Sequence, residues 1–250
     1  MDPMEYFLEI YGRVPRAGPG SFECTKHAFE LMAALPDDPY ILDIGCGPGV
    51  QTVDLLSMCG GSVLALDFLP LMLERTMENA KAASVSERVE VIELNMAEMA
   101  FAPDSFDVVW SEGAIYNLGF ENGLRLVRDF VKPGGYVAVS EVVWLRDDPP
   151  SAVKAFWDAY PEIDTVEAKL AVIDSLGYEQ VGHFVLPESA WTAEYYDPME
   201  ALIAQKAAEW AGNGDALAVL EEAKNEIAVF RKYSSYYSYG FFVMRRPILS

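Results

Sequence analysis

Residues 43–52 read Asp-Ile-Gly-Cys-Gly-Pro-Gly-Val-Gln-Thr, an acidic residue followed by three glycines at alternate positions. Tyr40 to Asp43 have strand character, and Val53, Leu55 and Leu56 begin an apolar helical pattern. Strand, glycine turn and helix start make up a nucleotide-binding βα unit. Glycines let the backbone turn sharply against a ligand, and a helix N-terminus offers free N–H groups. Asp67 stands twenty residues past Gly47, after a second apolar run from Ser62 to Leu66. A carboxylate there is placed to accept hydrogen bonds from ribose hydroxyls. Val50 occupies the place of the third glycine in a dinucleotide fingerprint, which argues against NAD.

The stretch Asp43-Ile44-Gly45-Cys46-Gly47-Pro48-Gly49 resembles the first motif of class I S-adenosylmethionine (SAM) methyltransferases. Glu112-Gly113-Ala114-Ile115-Tyr116-Asn117, with Gly119-Phe120-Glu121, is similar to bacterial small-molecule methyltransferases near the ubiquinone/menaquinone-type branch. Lys132-Pro133-Gly134-Gly135 resembles the turn before the fifth strand of that class. The resemblance implies SAM as cofactor and S-adenosylhomocysteine as product. It also implies roles for named residues. Asp43 and the N–H groups of Gly45, Cys46 and Gly47 would hold the methionine end, with Gln51 and Thr52 adding hydrogen bonds to its carboxylate. Asp67 would take the ribose, and Phe68 and Met72 an adenine face, although Met72 also suits a helix core. Asn95-Met96-Ala97 resembles the adenine-contacting segment. Many members carry aspartate at the position of Asn95, whose amide carbonyl can still accept from an adenine amino group.

The loop beginning at Ser111 and Glu112 follows the fourth strand and therefore faces the site, since ligands in open α/β sheets lie beyond the strands' carboxyl ends. Methyl transfer from a sulfonium needs alignment, exclusion of water and, for some acceptors, removal of a proton. Glu112 is the candidate base, and Tyr116 the candidate aromatic face for the sulfonium. His183 and His27 read as structural. No metal-ligand spacing, G-x-S-x-G elbow or P-loop is present.

Several elements must position these residues. Aromatics and a Gly/Pro loop fill residues 1–23, and a helix is expected from Thr25 to Leu35. Further strands are expected at Val89 to Leu94, Asp104 to Trp110, Tyr136 to Val143, Tyr178 to Leu186 and Tyr236 to Met244. Helices intervene at Leu71 to Ala83, Glu121 to Val131 and Thr165 to Leu176, and residues 189–235 are mainly helical. Alternating strands and helices imply an α/β fold with a mostly parallel sheet. The resemblance specifies a seven-stranded Rossmann-like sheet with helices on both faces and a helical insertion before the last strand. Residues 1–250 read as one domain, with 1–23 as an N-terminal lid and 146–164 and 187–235 as substrate-covering helical insertions.

At 250 residues and 52% hydrophobic content the chain can bury a substantial core. Its formal net charge of −21 disfavours nucleic acid and anionic membranes as partners. Cys24, Cys46 and Cys59 form no disulfide framework, which suggests a reducing compartment. The acidic start lacks a signal peptide's basic residues, and no apolar run reaches membrane-spanning length, so a cytoplasmic, soluble protein is expected. The reading is a SAM-dependent methyltransferase acting on a small uncharged or aromatic-compatible molecule, with a homodimer left open. A non-catalytic SAM-binding protein and an NAD-dependent oxidoreductase are the alternatives, since NAD also carries the ribose that Asp67 would hold.

Overall fold

Apolar, β-branched runs at Tyr40–Ile44 (β1) and Ser62–Asp67 (β2) pair in parallel, Asp43 opposite Ala65, and this pair carries the glycine turn. The computed structural model describes residues 3–248. Val89–Glu93 (β3), Phe106–Glu112 (β4) and Val131–Trp144 (β5) extend the parallel sheet. Glu179–Val185 (β7) and Tyr237–Arg245 (β8) complete the order β3-β2-β1-β4-β5-β8-β7, with β8 antiparallel to both neighbours. Asp164–Thr165 (β6) pairs with Val143 and Trp144, so the described residues form eight strands where patterning shows seven. Two residues are too few to carry a period. The Lys132–Gly135 turn is absorbed into β5 as a bulge: Phe106 pairs with Val131, whereas Val108 pairs with Tyr136.

Helices cover both faces. Phe22–Glu30 (α2), Val50–Met58 (α3) and Pro70–Ala82 (α4) bury Ala28, Leu55, Leu56 and Leu73 against one face. Phe120–Val127 (α5) and Val166–Ser175 (α7) bury Phe120, Leu124 and Ile173 against the other. The early helix starts at Phe22 rather than Thr25 because Ser21 accepts a hydrogen bond from the Cys24 N–H (3.2 Å) and caps it.

A helical cap stands over the first face. It contains Pro3–Ile10 (α1), Ser151–Trp157 (α6), Ser189–Trp191 (α8), a π-helical turn at Thr192–Tyr196, Asp197–Glu209 (α9) and Gly214–Tyr233 (α10). Residues 3–10, given no element by the sequence pattern, are helical, and tertiary partners hold them. The Tyr6 ring meets Trp210 edge-on at 5.0 Å, its hydroxyl accepts from Asn213 (2.6 Å), and Glu9 pairs with Lys206 (3.0 Å). Trp191 joins cap to sheet: it stacks on Phe230 at 4.5 Å, meets Tyr239 edge-on at 5.0 Å, and donates to Ser238 Oγ (3.0 Å). Among the described residues no helix is long and apolar enough to cross a membrane.

Trp191 is buried, so Trp191→Ala should lower the unfolding free energy by about 3–5 kcal/mol in urea denaturation. A loss under about 1 kcal/mol would show that the cap docks without this side chain.

Candidate functional site

Strand order reverses between β1 and β4, which opens a crevice at their carboxyl ends. The glycine turn lies there, with Gly45, Gly47 and Gly49 at φ +68°, +54° and +74°. Only glycine takes these angles without strain. A Cβ on Gly45 would collide with Ala114 and come within 3.5 Å of Met96 Cε, so the β4 loop and the residues after β3 lie directly on the turn.

The turn spends its donors internally. The Gly45 and Cys46 N–H groups donate to Leu66 O (2.8 and 2.9 Å), and the Gly47 N–H donates to Asp67 Oδ2 (3.0 Å). These three N–H groups, expected to face a ligand, therefore already have partners. Gln51 and Thr52 behave likewise: both donate to Asp43 Oδ2, at 3.3 and 2.6 Å, and Gln51 also donates to Cys46 O (2.8 Å). The Cys46 thiol is buried, and burial pushes its pKa far up.

Acceptors remain available instead. Asp43 is fully buried and its Oδ1 has no partner. Burial pushes its carboxyl up to about 7, against the hydrogen bonds from Thr52 and Gln51. Asp67 accepts from Gly47 and Leu69 (2.9 Å), one bond on each oxygen, which leaves further lone pairs. Burial raises its pKa, partly offset by these N–H groups. Phe68 is 57% exposed beside Asp67, whereas Met72 is buried with its Cε toward Gly12 and belongs to the core. Asn95 Oδ1 accepts from Ala97 N (2.9 Å) and caps a short turn at Met96–Glu98. Ser111 is fully buried and donates to Ile44 O (3.0 Å), bracing β4 to β1 rather than facing the crevice.

Glu112 has different employment from that of a free base. Its Oε1 accepts from Thr25 (2.8 Å) and Trp110 (3.0 Å), and its Oε2 faces Arg16 at 3.5 Å. Burial raises its pKa against the pull of Arg16. Arg16, which sequence reasoning passed over, is 4% exposed and also pairs with Asp54 and with Glu194 (2.7 Å). Burial opposes its charge, but the three carboxylates hold its pKa above the ordinary value. Arg75 adds a bond to Gly12 O and one to Val14 O (3.1 Å). Residues 11–20 thus form a strap, with Ala17 Cβ 3.3 Å from where a Cβ on Gly47 would sit.

Tyr116 lies on the other side of the crevice, 5.6 Å from the Tyr160 ring. Tyr160 donates to Glu141 Oε1, which also receives Lys169 (3.1 Å). Glu226 accepts hydroxyls from Tyr11, Tyr195 and Tyr196 at 3.0–3.1 Å. Sequence reasoning named neither glutamate. A charged residue inside the apolar run Tyr136 to Trp144 was the available signal for Glu141.

Residues 41–135 match the methyltransferase domain family. The chain is similar to a sterol 24-C-methyltransferase of Pneumocystis carinii, 24% identical over 163 residues that cover 62% of this chain and 43% of that protein. It therefore spans less than half the length of that relative. Among solved structures it resembles a SAM-dependent methyltransferase of Thiobacillus denitrificans bound to S-adenosylhomocysteine (TM-score 0.85, 20% identity, 98% and 99% of the two chains). It also resembles the cyclase SpnF (TM-score 0.74, 19% identity, 98% and 93% of the two chains).

Two predictions follow from the buried charges. Arg16→Gln leaves Asp54 and Glu112 without their cation and should cost about 3–5 kcal/mol of stability, with the strap becoming the first site of protease cleavage. Wild-type stability with the strap still resistant would remove the latch. Asp43, with its pKa raised from 3.8 to about 7, binds more proton folded than unfolded in that window. Wild-type stability relative to Asp43→Asn should therefore fall as pH rises from about 4 to 7. Parallel pH profiles of the two proteins would show that Asp43 is not held against its charge.

Proposed function

We propose that the chain, whose residues 41–135 match the methyltransferase domain family, is a class I SAM-dependent methyltransferase that transfers the methyl group of SAM to a small-molecule acceptor. One observation carries the cofactor assignment: Asp43 Oδ1, buried and without a donor, beneath a turn whose glycines no Cβ could replace. An unmet carboxylate oxygen in that place suits the ammonium of the cofactor's methionine end. Asp67 has acceptor capacity left for ribose hydroxyls. Phe68, Asn95, Met96 and Ala97 ring the adenine side, and Tyr116 the reacting side. When bound, the cofactor supplies a methyl group on a sulfonium, ready for in-line displacement.

This chain's own residues would position and enclose. The strap at 11–20 crosses the glycine turn, and the cap adds Tyr195 and Tyr196 while residues 146–164 add Trp157 and Tyr160. The net charge of −21 favours small molecules over nucleic acid as acceptors.

One observation favours a second reading, a SAM-binding protein that transfers no methyl group. Both oxygens of Glu112 are committed, so the β4 loop presents no free base. An acceptor that is already nucleophilic needs none, which keeps methyl transfer the stronger reading. The nicotinamide alternative has Asp67 and the glycine turn in its favour and Val50 against it.

In calorimetric titration, S-adenosylhomocysteine should bind and NAD should not. Asp67→Ala should weaken the first at least tenfold, on the order of 1.4 kcal/mol. Unchanged affinity would remove Asp67 from the ribose role, and binding of NAD alone would overturn the assignment.

A further inference from the structure

Three carboxylates stand at the carboxyl ends of three neighbouring strands. Asp43 lies opposite Ala65 of β2 and Trp110 of β4, and Asp67 and Glu112 each follow two residues further along those strands. All three are buried, Asp43 completely. Arg16 answers Glu112 from the strap, but it is shared with Asp54 and Glu194. Among the described residues Asp43 makes no ion pair.

The hydrogen bonds at Asp43 are one-sided. Thr52 and Gln51 of α3 both donate to Oδ2, at 2.6 and 3.3 Å, while Oδ1 is buried with no partner. An ionised carboxylate would place charge on an oxygen that neither protein nor water solvates. Protonation at Oδ1 removes that charge and keeps both bonds to Oδ2. The neighbours act in the same direction. Burial raises the Asp43 carboxyl to about 7, helped by the charges of Glu112 from β4 and Asp67 from β2, against the bonds from Thr52 and Gln51. Within the turn, burial pushes the Cys46 thiol far up, so it brings no charge either.

We infer that cofactor binding is coupled to loss of a proton: Asp43 rests as the neutral acid and ionises when the cofactor's ammonium reaches Oδ1. The only bond broken is Oδ1–H, and that proton passes to the buffer. Because the complex then holds one proton fewer than the free protein and ligand, affinity rises with pH until Asp43 has titrated. The inference rests on the reading that puts the methionine end of the cofactor at Asp43, and the two can fail separately.

The test is calorimetric titration of the full chain near pH 6 in phosphate and in imidazole, two buffers that differ in ionisation enthalpy. The probes are S-adenosylhomocysteine and 5′-methylthioadenosine, which shares its adenine and ribose but lacks the ammonium and carboxylate. S-adenosylhomocysteine should release at least about half a proton more than 5′-methylthioadenosine, and bind about tenfold more tightly at pH 7 than at pH 5.5. Asp43→Asn should abolish both effects while 5′-methylthioadenosine still binds. Equal proton release by the two ligands in the wild-type protein would overturn the inference, whatever the variant does. A difference that survives Asp43→Asn would put the proton on another group and overturn the role of Asp43. Failure of S-adenosylhomocysteine to bind at all would strike the cofactor assignment itself, and the inference with it.

Discussion

The buried guanidinium of Arg16 is the interaction on which the rest of the site depends. A charge placed at 4% exposure must be neutralised on the spot, and three carboxylates from three distant parts of the chain meet it. Asp54 comes from α3, Glu112 from the end of β4, and Glu194 from the π-helical turn of the cap. Satisfying one cation therefore fixes the strap across the glycine turn, the β4 loop beside it and the cap above. Deep burial also makes the latch costly to break halfway, so strap, loop and cap are expected to move together or not at all.

Below the strap, the glycine turn spends its own donors before the helix begins at Val50. Its N–H groups go to Leu66 and Asp67, and the side chains at the start of α3 go to Asp43. The acceptors left at the turn are the orphaned Asp43 oxygen and the spare lone pairs of Asp67. A site built from acceptors in low dielectric selects positive charge and hydroxyls. That is consistent with a sulfonium cofactor carrying an ammonium and a ribose.

Much of the fold was legible in the chain because it rests on local pattern. The glycine turn, the second-strand carboxylate, the alternation of strands and helices, and the helical stretch before the last strand each leave a period or a fixed spacing. What was not legible depends on contacts far apart in sequence. The helix at Pro3–Ile10 is held by the contact of Tyr6 with Trp210, and β6 forms where the end of β5 runs past the end of β4. Within the site, the residues named near the turn do gather at the carboxyl ends of β1 and β4, but their hydrogen-bond partners were not legible. Ser111 and Met72 are structural, and Glu112 is an anchor, because Arg16, Thr25 and Trp110 reach it from elsewhere. Glu226 sits beside the apolar stripe of α10, and nothing local tells it from a solvated residue.

Hydrogen exchange with and without S-adenosylhomocysteine tests the central claim most directly. If the cofactor sits on the glycine turn under a strap latched by Arg16, amides in residues 11–20, 43–49 and 112–117 should slow together on binding. Slowing at 43–49 with no change in 11–20 and 112–117 would contradict the account, because the strap and the β4 loop would then be independent of the site.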